Sequence, residues 1–105
     1  MGLVEPMTYE RLGSLRTHPG KRDEVVAILL SGLAGLKAVG CLVYDVSLDL
    51  GNDDLIWVRE VWADQARQRA SLQLPETRAA IAAAMPLLTG EFTGAELRTV
   101  GGIPA

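Results

Sequence analysis

The chain contains few of the residues from which disulfides, metal centres and nucleic-acid surfaces are built. Cys41 is the only cysteine and His18 the only histidine among 105 residues. A single cysteine forms no internal disulfide and no thiolate metal cluster, and no metal-ligand spacing occurs elsewhere. Lysine and arginine total 10 against 13 acidic residues, for a net charge of −3, and no basic cluster suggests a nucleic-acid surface. We therefore predict no metal site and no nucleic-acid partner.

Long apolar runs are missing as well. No segment approaches the roughly 20 apolar residues that a membrane-spanning helix needs, and residues 1–6 lack the cationic and apolar regions of a signal peptide. A lone thiol suits a reducing compartment. With 49% hydrophobic residues, the chain can form one core. We predict a soluble cytoplasmic protein without membrane contact, in which residues 1–105 form a single domain with a leader at 1–7 and a tail at 101–105.

The segment Leu55–Trp62 has the strongest structural signal. It is rich in β-branched and aromatic residues and is bounded by turn-forming residues, which predicts a strand. Alternation places Ile56, Val58, Glu60 and Trp62 on one face and Leu55, Trp57, Arg59 and Val61 on the other. Because both faces are mainly apolar, the strand is expected inside a sheet and covered on both sides.

Three more strands are predicted, at Tyr9–Thr17, Cys41–Leu48 and Ala95–Val100. The second has one apolar face, made of Leu42, Tyr44, Val46 and Leu48, and a mixed one that includes Cys41. It should form an antiparallel hairpin with Leu55–Trp62, because residues 49–54 are rich in turn formers. Residues 89–94 contain two glycines and are expected to be a loop.

Helices are predicted between these strands. One starts near Asp23 and carries leucines at helical spacing as far as Leu36. Asp64 is expected to cap a short helix ending near Leu72. Pro75 suits the first turn of a further helix, whose inward residues are Ile81, Ala84, Met85 and Leu88. The resulting order β-α-β-β-α-β is that of an α+β, ferredoxin-like fold.

Two helical segments can cover one face of such a four-stranded sheet, but not both. A monomer would leave the second apolar face of the central hairpin in water, and soluble monomers rarely expose so large a patch. A second copy packed sheet to sheet would cover it, so the sequence predicts a homodimer.

Several short motifs, taken in order, resemble the antibiotic biosynthesis monooxygenase family. They are Pro19-Gly20-Lys21, Gly40-Cys41-Leu42-Val43-Tyr44, Glu60-Val61-Trp62, Ala70-Ser71-Leu72, Leu74-Pro75-Glu76, Pro86-Leu87-Leu88 and Val100-Gly101-Gly102. The resemblance covers about residues 8 to 102. It implies a dimeric α/β barrel whose apolar pocket, between sheet and helices, binds a small aromatic molecule that itself activates molecular oxygen. It implies no flavin or other cofactor.

The chain also departs from the family pattern. Where members have a histidine after the Glu-x-Trp pair, this chain has Gln68 or Ser71. Where the polyketide oxygenases have an asparagine four residues before the tryptophan, it has Val58. The haem-degrading branch needs a histidine ligand on the second helix, and His18, the only histidine, precedes every predicted helix. The resemblance therefore makes Trp62, Val58 and Gln68 substrate-binding candidates and argues against haem.

Glu60 and Tyr44 are the catalytic candidates. A buried carboxylate favours its neutral form and can act as a base with a raised pKa, but Glu60 also fits a structural ion pair with Arg11, Arg16 or Arg98. Tyr44 would either bond a substrate oxygen or sit at the pocket rim, and Trp62 would contact an aromatic ring or belong to the core.

Two functions remain open. The first is a cofactor-independent monooxygenase acting on a hydroquinone, an anthrone-like compound or another phenolic aromatic. The second is a non-catalytic dimeric protein that binds a small aromatic ligand and has lost the polar catalytic groups.

Overall fold

The strand β3, Leu55–Trp62, lies inside a four-stranded antiparallel sheet in the computed structural model, which describes residues 8–103. The other strands are β1 (Tyr9–Thr17), β2 (Cys41–Leu48) and β4 (Leu88–Leu97). The strand order is β2-β3-β1-β4. This is the ferredoxin-like arrangement, so the predicted fold class is confirmed. The proposed leader at residues 1–7 lies outside the described residues, and 101–103 form neither helix nor strand.

Four helices join the strands: α1 (Arg22–Leu30), α2 (Leu33–Ala38), α3 (Gln65–Ser71) and α4 (Pro75–Ala84). The single helix predicted after Asp23 is wrong, because the segment breaks at Ser31 and Gly32, where glycine is a weak helix former. Asp64 caps α3 as predicted, since its side chain accepts a hydrogen bond from the Arg67 backbone N–H at 2.8 Å. Pro75 occupies the first turn of α4, and a 3₁₀ turn at Met85–Leu87 follows.

The last strand begins earlier than predicted. Residues 89–94, expected to be a loop, belong to β4, and the strand ends at Leu97 before reaching Val100. Pairing with β1 holds these residues extended: Phe92 lies opposite Leu15, and Gly94 lies opposite Gly13. Tertiary pairing thus overrides the weak strand propensity of glycine.

The helices cover one face of the sheet, which we call the helix-side face. Val25 of α1 is fully buried against Ile56 and Val58 of β3, and these three residues are the centre of the core. Glu60 and Trp62 share this face by alternation. The other face, called the open face, carries Trp57, Arg59 and Val61 of β3. No described helix is both long and apolar enough to cross a membrane.

A bulge changes the faces of β2. Cys41 lies opposite Trp62 and Val43 lies opposite Val61, so the register shifts between them. Strict alternation had separated Cys41 from Tyr44, but both lie opposite helix-side residues of β3, because Tyr44 faces Glu60. Cys41 is buried, and Leu42 is 60% exposed.

Candidate functional site

A cavity of about 310 Å³ lies between the helices and the helix-side face of the sheet. Its walls come from α1, α2 and α4 and from the strands β1, β2 and β4. Most of the lining side chains are apolar, and the polar ones are Tyr44, Glu76 and Thr77. The volume is at the lower end of the range for small-molecule sites. We call this space the main cavity.

The inward residues predicted for the last helical segment all line the main cavity. They are Ile81, Ala84, Met85 and Leu88. Ala84 is 5% exposed, whereas Ile81 and Met85 are 47% and 52% exposed. The partly exposed side chains therefore lie where the main cavity opens, and Phe92 of β4, at 52% exposure, joins them.

Tyr44 brings the one phenol group into this apolar lining. Its hydroxyl makes no hydrogen bond within the described part of the chain. Burial raises the pKa of the Tyr44 phenol from 10.0 to about 12, and the negative charge of Glu60 adds to the rise. At neutral pH the hydroxyl is therefore protonated and can donate a hydrogen bond to a ligand oxygen.

Glu60 lies in a smaller pocket of about 230 Å³ beside the main cavity. Val58 lines this pocket too, and Leu15 and Phe92 line both spaces. Two of the predicted site residues, Glu60 and Val58, are thus brought together next to the main cavity but outside its lining. The polar wall of the smaller pocket also includes Arg11 of β1.

The expected ion pair between Glu60 and an arginine does not form. Arg11 lies 3.7 Å from Glu96, and Arg16 lies 2.7 Å from Glu91. Between residues 8 and 103, no cation lies within 4.0 Å of the Glu60 carboxylate. Its Oε1 instead accepts a hydrogen bond from Trp62 Nε1 at 2.9 Å. The pairing that would have made Glu60 purely structural is therefore absent from the described residues.

Trp62 and Gln68 line neither space. Trp62 is 1% exposed and Gln68 is 7% exposed, so both are buried outside the two spaces. Trp62 nevertheless acts on the site, because its indole N–H fixes one oxygen of Glu60. The substrate-binding role predicted for these two residues stays a prediction.

Sequence reasoning missed the contribution of α2 and β4 to the site. Gly32 and Gly35 line the main cavity, and a methyl group added at Gly35 would approach only Glu76 Cγ, at 4.0 Å. Neither glycine was among the predicted site residues. Phe92 was placed in a loop, and the glycines on either side of it concealed the strand that positions it.

The fold and this site define a small α+β protein with an apolar ligand cavity beside a carboxylate. The model of the family described as antibiotic biosynthesis monooxygenase matches residues 8–83. The chain therefore belongs to the antibiotic biosynthesis monooxygenase family, and the predicted resemblance is confirmed.

Solved structures agree with this assignment. A Chloroflexus aurantiacus J-10-fl protein that carries the family name is 38% identical, with a TM-score of 0.82 over 92% of this chain and 97% of that one. A Caulobacter crescentus CB15 protein of the same family name is 24% identical, with a TM-score of 0.82 over 91% and 92% of the two chains. No curated protein matched the chain.

The fold is also shared by a protein of unknown function. A Bacteroides thetaiotaomicron VPI-5482 chain, described as a possible oxidoreductase, is 14% identical with a TM-score of 0.77. The alignment covers 90% of this chain and 100% of that one. Identity this low supports the fold alone.

Proposed function

We propose that this protein is a cofactor-independent monooxygenase acting on a phenolic aromatic, such as a hydroquinone or an anthrone-like compound. The supporting observation is an apolar cavity in which the Tyr44 hydroxyl has no hydrogen-bond partner within residues 8–103, next to a Glu60 carboxylate that forms no ion pair with a described cation. The aromatic ring would occupy the main cavity, and molecular oxygen would be the second substrate.

Glu60 and Tyr44 would have complementary roles. Oxygen insertion without a cofactor requires a substrate that forms a stabilised anion, and a carboxylate can take the phenolic proton. Trp62 Nε1 holds Oε1 of Glu60, and Oε2 makes no hydrogen bond within residues 8–103, which leaves it available as the base. The neutral Tyr44 hydroxyl would donate to a substrate oxygen. The apolar walls would exclude water from the anion.

The protein would work as a homodimer that buries the open face. Charges on this face are already paired with one another, since Arg59 Nε lies 3.1 Å from Glu10 and Arg59 Nη1 lies 3.6 Å from Asp45. Burial at an interface would therefore not leave these charges alone. Leu12 and Leu97 of the same face are 38% and 42% exposed and would contribute apolar contacts.

A non-catalytic dimer that binds a small aromatic ligand is the second candidate. The observation that favours it is the position of Glu60, which lies beside the main cavity and not in its lining. A ligand confined to the main cavity would meet Tyr44 and the exposed carboxylate Glu76, but not Glu60.

Oxygen uptake separates the two candidates. We expect the purified protein to consume oxygen with at least one member of a panel of hydroquinones and anthrones. Glu60→Gln should lower kcat by roughly 100-fold or more with little change in KM, and Glu91→Gln, a carboxylate change on the open face, should leave kcat unchanged. The catalytic role would be refuted if Glu60→Gln lowered the melting temperature but kept the turnover per folded molecule. That result would favour the non-catalytic ligand-binding protein.

A further inference from the structure

A single row of polar side chains crosses all four strands on the helix-side face. Tyr44 of β2 lies directly opposite Glu60 of β3, Glu60 lies opposite Arg11 of β1, and Arg11 lies opposite Glu96 of β4. Neighbouring strands are about 4.8 Å apart, so each member of the row lies within interaction range of the next. The row places an arginine between two carboxylates at the edge of an otherwise apolar layer.

The adjacent row contains two glycines that face each other. Gly13 of β1 lies opposite Gly94 of β4. A methyl group on Gly13 would come within 2.5 Å of the Thr93 carbonyl oxygen, and one on Gly94 would come within 3.6 Å of Arg11 Nη2. Because neither residue has a side chain, the sheet surface is hollow beneath Arg11 and Glu60. This hollow is the smaller pocket of about 230 Å³, which we call the annex.

The annex contains unused hydrogen-bonding groups. Arg11 Nη1 donates to the Tyr9 hydroxyl at 3.0 Å, while Arg11 Nε and Nη2 donate to no residue among 8–103. The hydrogen bond with Tyr9 is the main cause that raises the pKa of Arg11 above its usual value, and the charges of Glu60 and Glu96 add to it. A permanent donor therefore lines the same pocket as Glu60, whose Oε2 makes no hydrogen bond within residues 8–103.

The charges select the kind of group that fits between them. Glu60 and Glu96 together outweigh the single positive charge of Arg11, so an incoming carboxylate would be repelled. A hydroxyl group can accept from Arg11 and donate to Glu60 at once. Since Leu15 and Phe92 line both spaces, a ring in the main cavity can direct such a group into the annex.

We propose that the annex binds a phenolic hydroxyl of the ligand whose ring occupies the main cavity, with Arg11 as the donor and Glu60 as the acceptor. This deepens the proposed function and rests on it for the identity of the ligand. When Glu60 Oε2 takes the phenolic proton, the carboxylate becomes a neutral acid and the substrate becomes a phenolate. Arg11 then stabilises the negative charge that has moved to the substrate oxygen.

Binding measured without oxygen tests this assignment apart from catalysis. Three probes share one ring system: naphthalene, 1-naphthol and 1-naphthoate. For the native protein, anaerobic calorimetry should show 1-naphthol binding about tenfold more tightly than naphthalene, which corresponds to one charged hydrogen bond, and 1-naphthoate binding more weakly than 1-naphthol. In Arg11→Met, the preference for 1-naphthol over naphthalene should fall to near one while naphthalene affinity is kept.

Two control variants exclude indirect effects. Arg69→Met makes the same chemical change at an exposed residue of α3 that has no ion pair within residues 8–103, and it should preserve the preference for 1-naphthol. Tyr9→Phe removes the hydroxyl that Arg11 bonds and leaves the guanidinium in place, so it should preserve the preference as well. Should Arg11→Met fold poorly, Arg11→Lys retains a positive donor and should keep part of the preference.

The assignment is wrong if the native protein shows no preference for 1-naphthol, if Arg11→Met keeps the preference, or if 1-naphthoate binds as tightly as 1-naphthol. Oxygen uptake is a separate result. A preference that depends on Arg11 in a protein that never consumes oxygen would support the annex and refute the monooxygenase. If Arg11→Met kept its turnover with unchanged KM, that result would support the monooxygenase and refute the annex as a binding site.

Discussion

Arg59 and Glu60 are neighbours in β3, yet their side chains lie in opposite environments. Arg59, on the open face, lies 3.1 Å from Glu10 and 3.6 Å from Asp45. Glu60, on the helix-side face, has no ion-pair partner within 4.0 Å among the described residues and accepts a hydrogen bond from Trp62. The open face neutralises its charges within itself, whereas the helix-side face leaves hydrogen-bonding groups available.

The same contrast extends along both faces. On the open face, Ser14 and Thr93 share a hydrogen bond of 2.6 Å and Arg16 bonds Glu91. On the helix-side face, the Tyr44 hydroxyl has no described partner beside a cavity of about 310 Å³. Polar groups that are paired with one another contribute to structure or to an interface, and polar groups left unpaired beside a cavity are candidates for contact with a ligand.

The largest expected effect is on stability. Trp62→Ala removes a side chain that is 1% exposed on the helix-side face, together with the donor that holds Glu60. We expect the free energy of unfolding to fall by about 3–5 kcal/mol, measured by urea denaturation. Trp57→Ala is the matched change on the open face, where the side chain is partly exposed, and should cost less. Equal losses for the two variants would contradict the contrast between the faces.

The next effect concerns association through the open face. Leu97→Asp places an unpaired charge on this face, and burying it in a symmetric interface would cost several kcal/mol. We expect the native protein to be a dimer at micromolar concentration, and the dimer dissociation constant to rise roughly 100-fold or more in the variant. Sedimentation equilibrium measures both. Leu72→Asp, at an exposed leucine just after α3, is the control, and a stable native monomer would refute the interface.

A smaller effect should appear at alkaline pH. The pKa of Tyr44 is 10.0 in the unfolded chain and about 12 in the folded one. Between these values the unfolded state loses the phenolic proton first, so the free energy of unfolding should fall as pH rises, by up to about 2 kcal/mol. Urea denaturation of Tyr44→Phe should show a flatter decline over this range. The burial that raises the pKa of Cys41 to about 11 adds a parallel decline, which Cys41→Ala should remove.

Strand positions were predictable because local signals and tertiary pairing agree there. β1, β2 and β3 have the predicted bounds, since alternating apolar residues end at clear turn formers such as the segment 49–54. The predicted bounds of β4 were wrong because Gly90 and Gly94 are typical turn residues, and pairing with β1 keeps this segment extended. The bulge after Cys41 was equally invisible, because one inserted residue leaves no mark on composition.

The site was only partly predictable for a related reason. Alternation places Glu60 and Trp62 on one face, and hairpin register brings Tyr44 beside Glu60, so this part follows from the sequence. The cavity itself depends on how α1, α2 and α4 meet the sheet. No pattern in the sequence indicates that Gly35 of α2 and Phe92 of β4 line the same cavity.

The most direct test of the contrast between the two sheet faces is to determine which face binds an aromatic ligand. Amide chemical shifts measured by NMR with 1,4-dihydroxynaphthalene under anaerobic conditions should change at Leu36, Tyr44 and Phe92 around the main cavity and at Glu60 in the annex. Open-face residues, such as Ser14 and Arg59, should change little. Shifts concentrated at Ser14 and Arg59, with Tyr44 and Phe92 unaffected, would contradict a ligand site on the helix-side face.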